Sequence, residues 1–104
     1  MRSIAQLKYP MEIKPLKLQG SYEITFNPRT DERGYFMRTY DEEIFKNNGL
    51  TVDWVQENQS LSKTKGIVRG LHFQKPPHSE TKLVRAVMGE IWDVFVDLRK
   101  NSPT

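Results

Sequence analysis

Apolar and polar residues alternate in short stretches along most of this chain, which is the signature of half-buried strands. Residues 11–18 (MEIKPLKL) alternate around Pro15, predicting an edge strand interrupted where proline cannot donate to a ladder. Gly20 turns the chain. Tyr22, Ile24 and Phe26 then share one face of a second strand, with Glu23 and Thr25 on the other. Residues 27–34 (NPRTDERG) are dense in turn formers, and residues 35–40 (YFMRTY) predict a third strand. Asp41 is placed to cap a short helix near residues 41–48: Glu42 and Glu43 occupy its first turn, and Gly49 lies just past its end. Ile44 and Phe45 would hold that helix against the sheet. Strand pattern resumes at 52–56, and residues 63–66 (KTKG) turn. A strand bearing His72, a corner at Pro76-Pro77 and a strand bearing Lys82 follow. A Gly89-Glu90 hairpin would lead into a last strand over 91–98. The whole predicts an all-β sandwich or barrel, without repeat, low-complexity tract or linker.

Strand parity constrains which side chains meet. Val68, Gly70, His72 and Gln74 fall on one face, and Arg69, Leu71 and Phe73 on the other. Arg69 and His72 therefore diverge in a regular strand, and Gly70 between them is a natural bulge site that would reset the parity. In the last hairpin, a two-residue loop sets Lys82 opposite Asp97 and Ala86 opposite Asp93. Leu83, Val87, Trp92, Val94, Val96 and Leu98 then form a core face, while the Lys82 face mixes charge with Val84 and Phe95 as a pocket wall would. A one-residue slip would exchange the two faces.

At 104 residues, with 37% hydrophobic and 28% charged positions, the chain is at most one domain with a modest core. It has no apolar run long enough to span a bilayer and no signal-peptide core at its start. With no cysteine there is no disulfide framework, so the expected compartment is the cytoplasm. The net charge is +3, and its lysines and arginines are dispersed, which argues against a nucleic-acid stripe. A small anionic ligand fits that charge, and so does a solvated surface. Gly-rich phosphate loops and Ser/His/Asp or Cys nucleophile signatures are absent.

The chemistry centres on residues 67–85 (IVRGLHFQKPPHSETKLVR). An imidazole and an ammonium aimed into one cavity suit reactions beside a carbonyl, where His removes a proton and Lys steadies the oxygen that becomes negative. From the residues alone, His72 reads better as a hydrogen-bonded core histidine, and Lys82 is open to reading as a lysine that blunts a strand edge. Arg33 and Phe36 read equally as a turn arginine and a core aromatic. Gln56, Glu57 and Asn58 read as a strand end entering a loop, and His78 as a loop residue without a role.

The segments RGLHFQKPP, KLVR and GEIWDVFVDLRKNSPT, with DERGYF and VQENQS upstream, resemble the dTDP-4-dehydrorhamnose 3,5-epimerase family of cupin-fold sugar-nucleotide epimerases. The likeness runs from about Tyr22 to Thr104. It implies a jelly-roll cupin of which residues 1–104 form the N-terminal part of a single domain, truncated relative to the family. It implies epimerisation at C3 and C5 of a nucleotide-linked 4-keto-6-deoxyhexose without a cofactor, in a homodimer formed by strand exchange. His72 would be the base and Lys82 would hold the C4 oxygen as the enolate forms. Arg33 would reach the diphosphate, and Phe36 the nucleotide base, in the partner subunit's site. Arg69 is similar to an arginine that contacts the diphosphate, and Gln56, Glu57 and Asn58 to a polar triplet that touches the ligand.

Two positions depart from the family pattern: Arg38 stands where Glu is usual, and Gln59 where His is common. Metal chemistry is not expected, because metal-binding cupins present His-x-His and here Gln74 takes the second position. The family's opposite-face Tyr acid, and the Asp that orients its His, fall beyond Thr104. Tyr22, Tyr35 and Tyr40 do not match the acid's position. The expectation is a chain that alone is inactive or nearly so, with Trp92 and Val94 uncovered. A non-catalytic sugar-nucleotide binding module and an inactive remnant stand as the alternatives.

Overall fold

The structure, a computed structural model, describes residues 10–103. These fall into two compact units: one comprises the described residues up to Val52 together with those from Asp97 onward, and the other is Asp53–Val96.

The first unit holds all the regular structure among the described residues, which is strand plus one short helix. Strands β1 (Met11–Pro15) and β2 (Tyr22–Phe26) pair antiparallel, with Met11 opposite Phe26, Ile13 opposite Ile24 and Pro15 opposite Tyr22. The register puts the apolar residues of both strands on one face, as the alternation predicts. Met11 is buried, and Ile13, Ile24 and Phe26 are half-buried. Pro15 closes β1, consistent with an edge position. Ser21 fastens the connection, its hydroxyl donating to the Leu18 carbonyl at 2.6 Å and its backbone N–H to the same oxygen at 3.0 Å.

Residues 27–34 are more ordered than a turn. They supply strand β3 (Arg29–Asp31), which pairs antiparallel with β4 (Gly34–Phe36) around the tip Glu32-Arg33. Neither tip residue has a positive φ; Gly34 does, at 132°, and absorbs the bend. The predicted third strand is correspondingly shorter and ends at Phe36. Every residue of this hairpin is exposed.

Helix α1 (Glu42–Asn47) forms where the capping signals place it. The Asp41 carboxylate accepts from the Ile44 N–H at 3.0 Å, and Glu42 pairs with Lys46 at 3.4 Å across one turn. At the other end Gly49 takes φ 72°, donating to the Lys46 carbonyl at 3.0 Å, while Leu50 donates to that of Phe45 at 2.9 Å. This paired 5→2 and 6→1 closure is a Schellman motif. Phe45 is 1% exposed, and Tyr40 meets it edge-on with ring centroids 4.7 Å apart.

The second unit contains no strand or helix among its described residues. Turns occur at 64–66 and at the Pro76-Pro77 corner, where His78 N–H donates to the Lys75 carbonyl at 2.8 Å. The strands predicted over 52–56 and 91–98, and those bearing His72 and Lys82, are not formed. The Gly89 region bends without pairing, so the ladder that would set Lys82 opposite Asp97 and Ala86 opposite Asp93 is absent. The predicted core face is exposed instead, with Trp92 92%, Val87 75% and Val94 53% open. The physical reason is pairing. These arms have strand composition, but one unsupported hairpin is marginal in water and gains no buried face to offset its ordering. The described strands make two two-stranded sheets and close no barrel. No helix among the described residues is long and apolar enough to cross a membrane.

Candidate active site

The predicted site residues divide between the two units. Arg33 sits at the β3–β4 tip, where its backbone N–H donates to Asp31 Oδ1 at 2.8 Å. Its Nε and Nη2 donate to Oδ2 at 3.2 and 2.6 Å. This fork, with the guanidinium's hydrogen bond as the largest cause, holds the Asp31 carboxyl below the usual carboxylate range. Phe36 ends β4 opposite Arg29 and is 68% exposed, so it is not the core aromatic its pattern allows. Arg38, the position that departs from the family's Glu, donates to Asp41 Oδ2 at 2.9 Å and so braces the helix cap. The Asp41 carboxyl is lowered chiefly by the Ile44 N–H, with Arg38 adding to it.

The other six predicted residues lie in the second unit. Gln56, Glu57 and Asn58 are exposed on an irregular stretch. Arg69 folds back on the preceding loop: Nε and Nη2 donate to Ser62 Oγ at 3.3 and 3.2 Å, and Nη2 to the Leu61 carbonyl at 3.3 Å. Gly70 has φ 96°, a conformation that strains any residue bearing a Cβ, and the chain departs from regular strand here. The His72 imidazole lies over this glycine. A Cβ at position 70 would stand 3.2 Å from His72 Nδ1 and 3.4 Å from its backbone nitrogen. His72 is exposed, so the sequence reading of a core histidine does not hold.

Lys82 lies beyond the proline corner and pairs with Glu80, Nζ to Oε1 at 3.3 Å. Glu80 also faces Gln74. With the Gln74 amide nitrogen toward the carboxylate, the orientation in which donor meets acceptor, it donates to Oε1 and Oε2 at 3.0 and 2.7 Å. Gln74, Glu80 and Lys82 thus close the loop around the corner, linking the arm that bears His72 to the arm that bears Lys82. Sequence reading missed Glu80 as a site neighbour, and missed Ser62 beneath Arg69. The only sequence signal for Glu80 is its spacing two residues before Lys82.

A further cluster ends the first unit. Asp97 accepts from Arg99 and from the Ser102 hydroxyl, and a cavity of about 260 Å³ opens beside it, lined by Gln19, Arg99, Lys100, Asn101 and Ser102. Its walls include none of the predicted site residues. Among the described residues, no three His, Cys, Asp or Glu side chains gather as a metal site would require.

Comparison with known proteins covers nearly all of this chain. The family model described as dTDP-4-dehydrorhamnose 3,5-epimerase matches residues 15–104. A dTDP-4-dehydrorhamnose 3,5-epimerase of Methanothermobacter thermautotrophicus is 55% identical over 87 residues, which is 84% of this chain and 46% of that protein. One of Shigella flexneri is 49% identical over 84 residues, 78% of this chain and 46% of its own length. A dTDP-4-dehydrorhamnose 3-epimerase of Streptomyces niveus is 41% identical over 95 residues, 90% of this chain and 45% of its own length. The chain spans about half the length of the curated relatives it matches. No solved structure matches the chain.

Proposed function

The chain belongs to the dTDP-4-dehydrorhamnose 3,5-epimerase family, and from that premise we propose that it serves the epimerisation of a dTDP-linked 4-keto-6-deoxyhexose in deoxysugar biosynthesis. His72 removes the proton from the carbon beside the C4 ketone. The electron pair left behind moves onto the C4 oxygen, where the Lys82 ammonium holds the enolate. A proton delivered to the opposite face then inverts the centre. General-base action of this kind gives about 100- to 10,000-fold. One well-placed donor on the oxyanion is worth about 3 kcal/mol. Arg33 and Arg69 bind the diphosphate with planar guanidinium forks, Phe36 packs on the base, and Gln56, Glu57 and Asn58 contact the ligand.

The observation that carries this reading is the closure of 74–82 by Glu80, because it ties the His72 and Lys82 arms together at the corner. The exposed β3–β4 hairpin, with Arg33 at its tip and Phe36 at its end, supports a second part of the reading. This hairpin joins a second subunit by strand exchange and completes the partner's site. The finer fold is a single jelly-roll cupin domain in the cytoplasm, and the strand composition of the arms in Asp53–Val96 supports it.

The test is incubation of the 104 residues with the dTDP-4-keto-6-deoxy sugar in deuterated water. The expected result is deuterium at C3 or C5 without inversion, since no residue of this chain is assigned the opposite-face acid. Efficient inversion by these residues would overturn that assignment. Binding without any exchange would overturn the catalytic reading in favour of a binding module.

A further inference from the structure

Lys82 carries three N–H donors on a flexible four-carbon stem, so its usefulness beside a forming oxyanion depends on what fixes its direction. An ammonium that wanders by about 1 Å forfeits much of its effect on a transition state, roughly 100-fold in rate. Among the described residues the ammonium pairs with the Glu80 carboxylate at 3.3 Å. The Glu80 carboxylate is itself held, since the Gln74 amide reaches both its oxygens. The corner below is closed by the His78 N–H to the Lys75 carbonyl.

The spacing gives this chain of contacts a consequence. His72 stands two residues before Gln74, and Lys82 two residues after Glu80. A link from Gln74 to Glu80 across the corner therefore leaves His72 and Lys82 each two residues from it along their arms. We propose that Glu80 is a positioning residue for Lys82: buttressed by Gln74, it takes one ammonium donor from the corner side and turns the remaining two toward the reacting oxygen. This rests on the role proposed above for Lys82 and adds to it a residue that the family resemblance, as set out above, did not assign.

The charge sign favours orientation over stability. The pair is half-exposed, and exposed ion pairs of this kind add little to folding. A carboxylate aimed at the enolate would oppose its formation. One that approaches from the corner and stays on the far side of the ammonium keeps the cation in place and leaves two donors for the oxygen.

The experiment compares the parent chain with Glu80→Gln, Glu80→Asp and Gln74→Ala by two readouts. The first is 13C relaxation of the Lys82 ε-carbon without ligand, which needs no catalysis. Glu80→Gln and Gln74→Ala should lower its order, and Glu80→Asp should retain most of it. The second is deuterium exchange into the keto sugar. Glu80→Gln should lower the exchange kcat about tenfold, a partial loss on the 100-fold scale of misplacement, with KM within about twofold and partial rescue by Glu80→Asp. Unchanged Lys82 order in Glu80→Gln overturns the proposal whatever the exchange shows. Lowered order with unchanged kcat also overturns it, because the contact would then be structural only. If relaxation behaves as expected but the parent binds the sugar nucleotide and exchanges nothing, the failure lies in the catalytic reading, and the positioning role falls with it.

Discussion

Arg99 grips the Asp97 carboxylate through its backbone N–H at 3.0 Å, its Nε at 2.8 Å and its Nη2 at 2.7 Å, and the same Nη2 reaches the Gln19 carbonyl at 2.5 Å. The grip fastens the segment after Asp97 to the turn between β1 and β2. The Arg99 hydrogen bonds, then that of Ser102, hold the Asp97 carboxyl far below the usual range. A folded-state value below the unfolded one means the contribution is fully present above the ordinary Asp value of 3.8. It is lost as pH falls from there through the lowered value. Protection of the Arg99 and Ser102 amides, measured against the intrinsic exchange rate at each pH, should therefore persist at neutral pH and be lost only well into acid. In Asp97→Asn that protection should already be reduced at neutral pH. Equal protection in parent and variant would contradict the account.

Phe45→Ala should cost about 3 kcal/mol, the lower end for an emptied aromatic site. Met11 and Phe45 are the buried hydrophobic residues among those described, so little remains to refill the space. Urea unfolding followed by far-UV circular dichroism should show the loss. Phe45→Leu, which keeps more of the volume, should fall clearly short of it.

Gly70→Ala should depress deuterium exchange into the substrate more than it depresses binding. The new Cβ would sit 3.2 Å from His72 Nδ1, on a backbone whose φ of 96° resists any side chain. Displacing the imidazole by a few tenths of an ångström should lower kcat roughly tenfold, with KM little changed. A variant with parental kcat would separate Gly70 from the placement of His72.

Trp92 is 92% exposed, whereas Trp54 is half-buried. Iodide should quench two classes of tryptophan, and Trp92→Phe should remove the accessible one. The apolar residues uncovered with Trp92 should also bind a hydrophobic dye, and Trp92→Lys should reduce that binding. A single shielded class would mean this surface is covered in solution, by self-association or otherwise.

Helix α1 was legible because its signals are local. Asp41, the two glutamates and Gly49 satisfy its ends without help from distant residues. Strands β1 and β2 were legible for a similar reason, since apolar and polar residues alternate on both sides of Gly20. The β3–β4 hairpin was hidden because turn formers dominate its composition, while its strands are too short to show a period. The arms around His72 and Lys82 have the composition of strands, yet the strands expected there do not form. Composition cannot supply a partner, however, and a ladder exists only where another backbone offers donors and acceptors. Glu80 was missed because its importance comes from two side chains that meet it across the proline corner, a relation that the linear order of 74 and 80 does not display.

The hydrogen bonds that cap α1 join residues between Arg38 and Leu50. In kinetic terms, these caps close no long loop, so their formation escapes the entropic delay that slows distant pairings. Such a turn of chain relaxes on the order of a microsecond. The grip of Arg99 on Gln19 spans 80 residues and must wait for nearly the whole chain. The first unit therefore carries its own clock: the helix forms first, and the Arg99 clasp records that the rest has arrived.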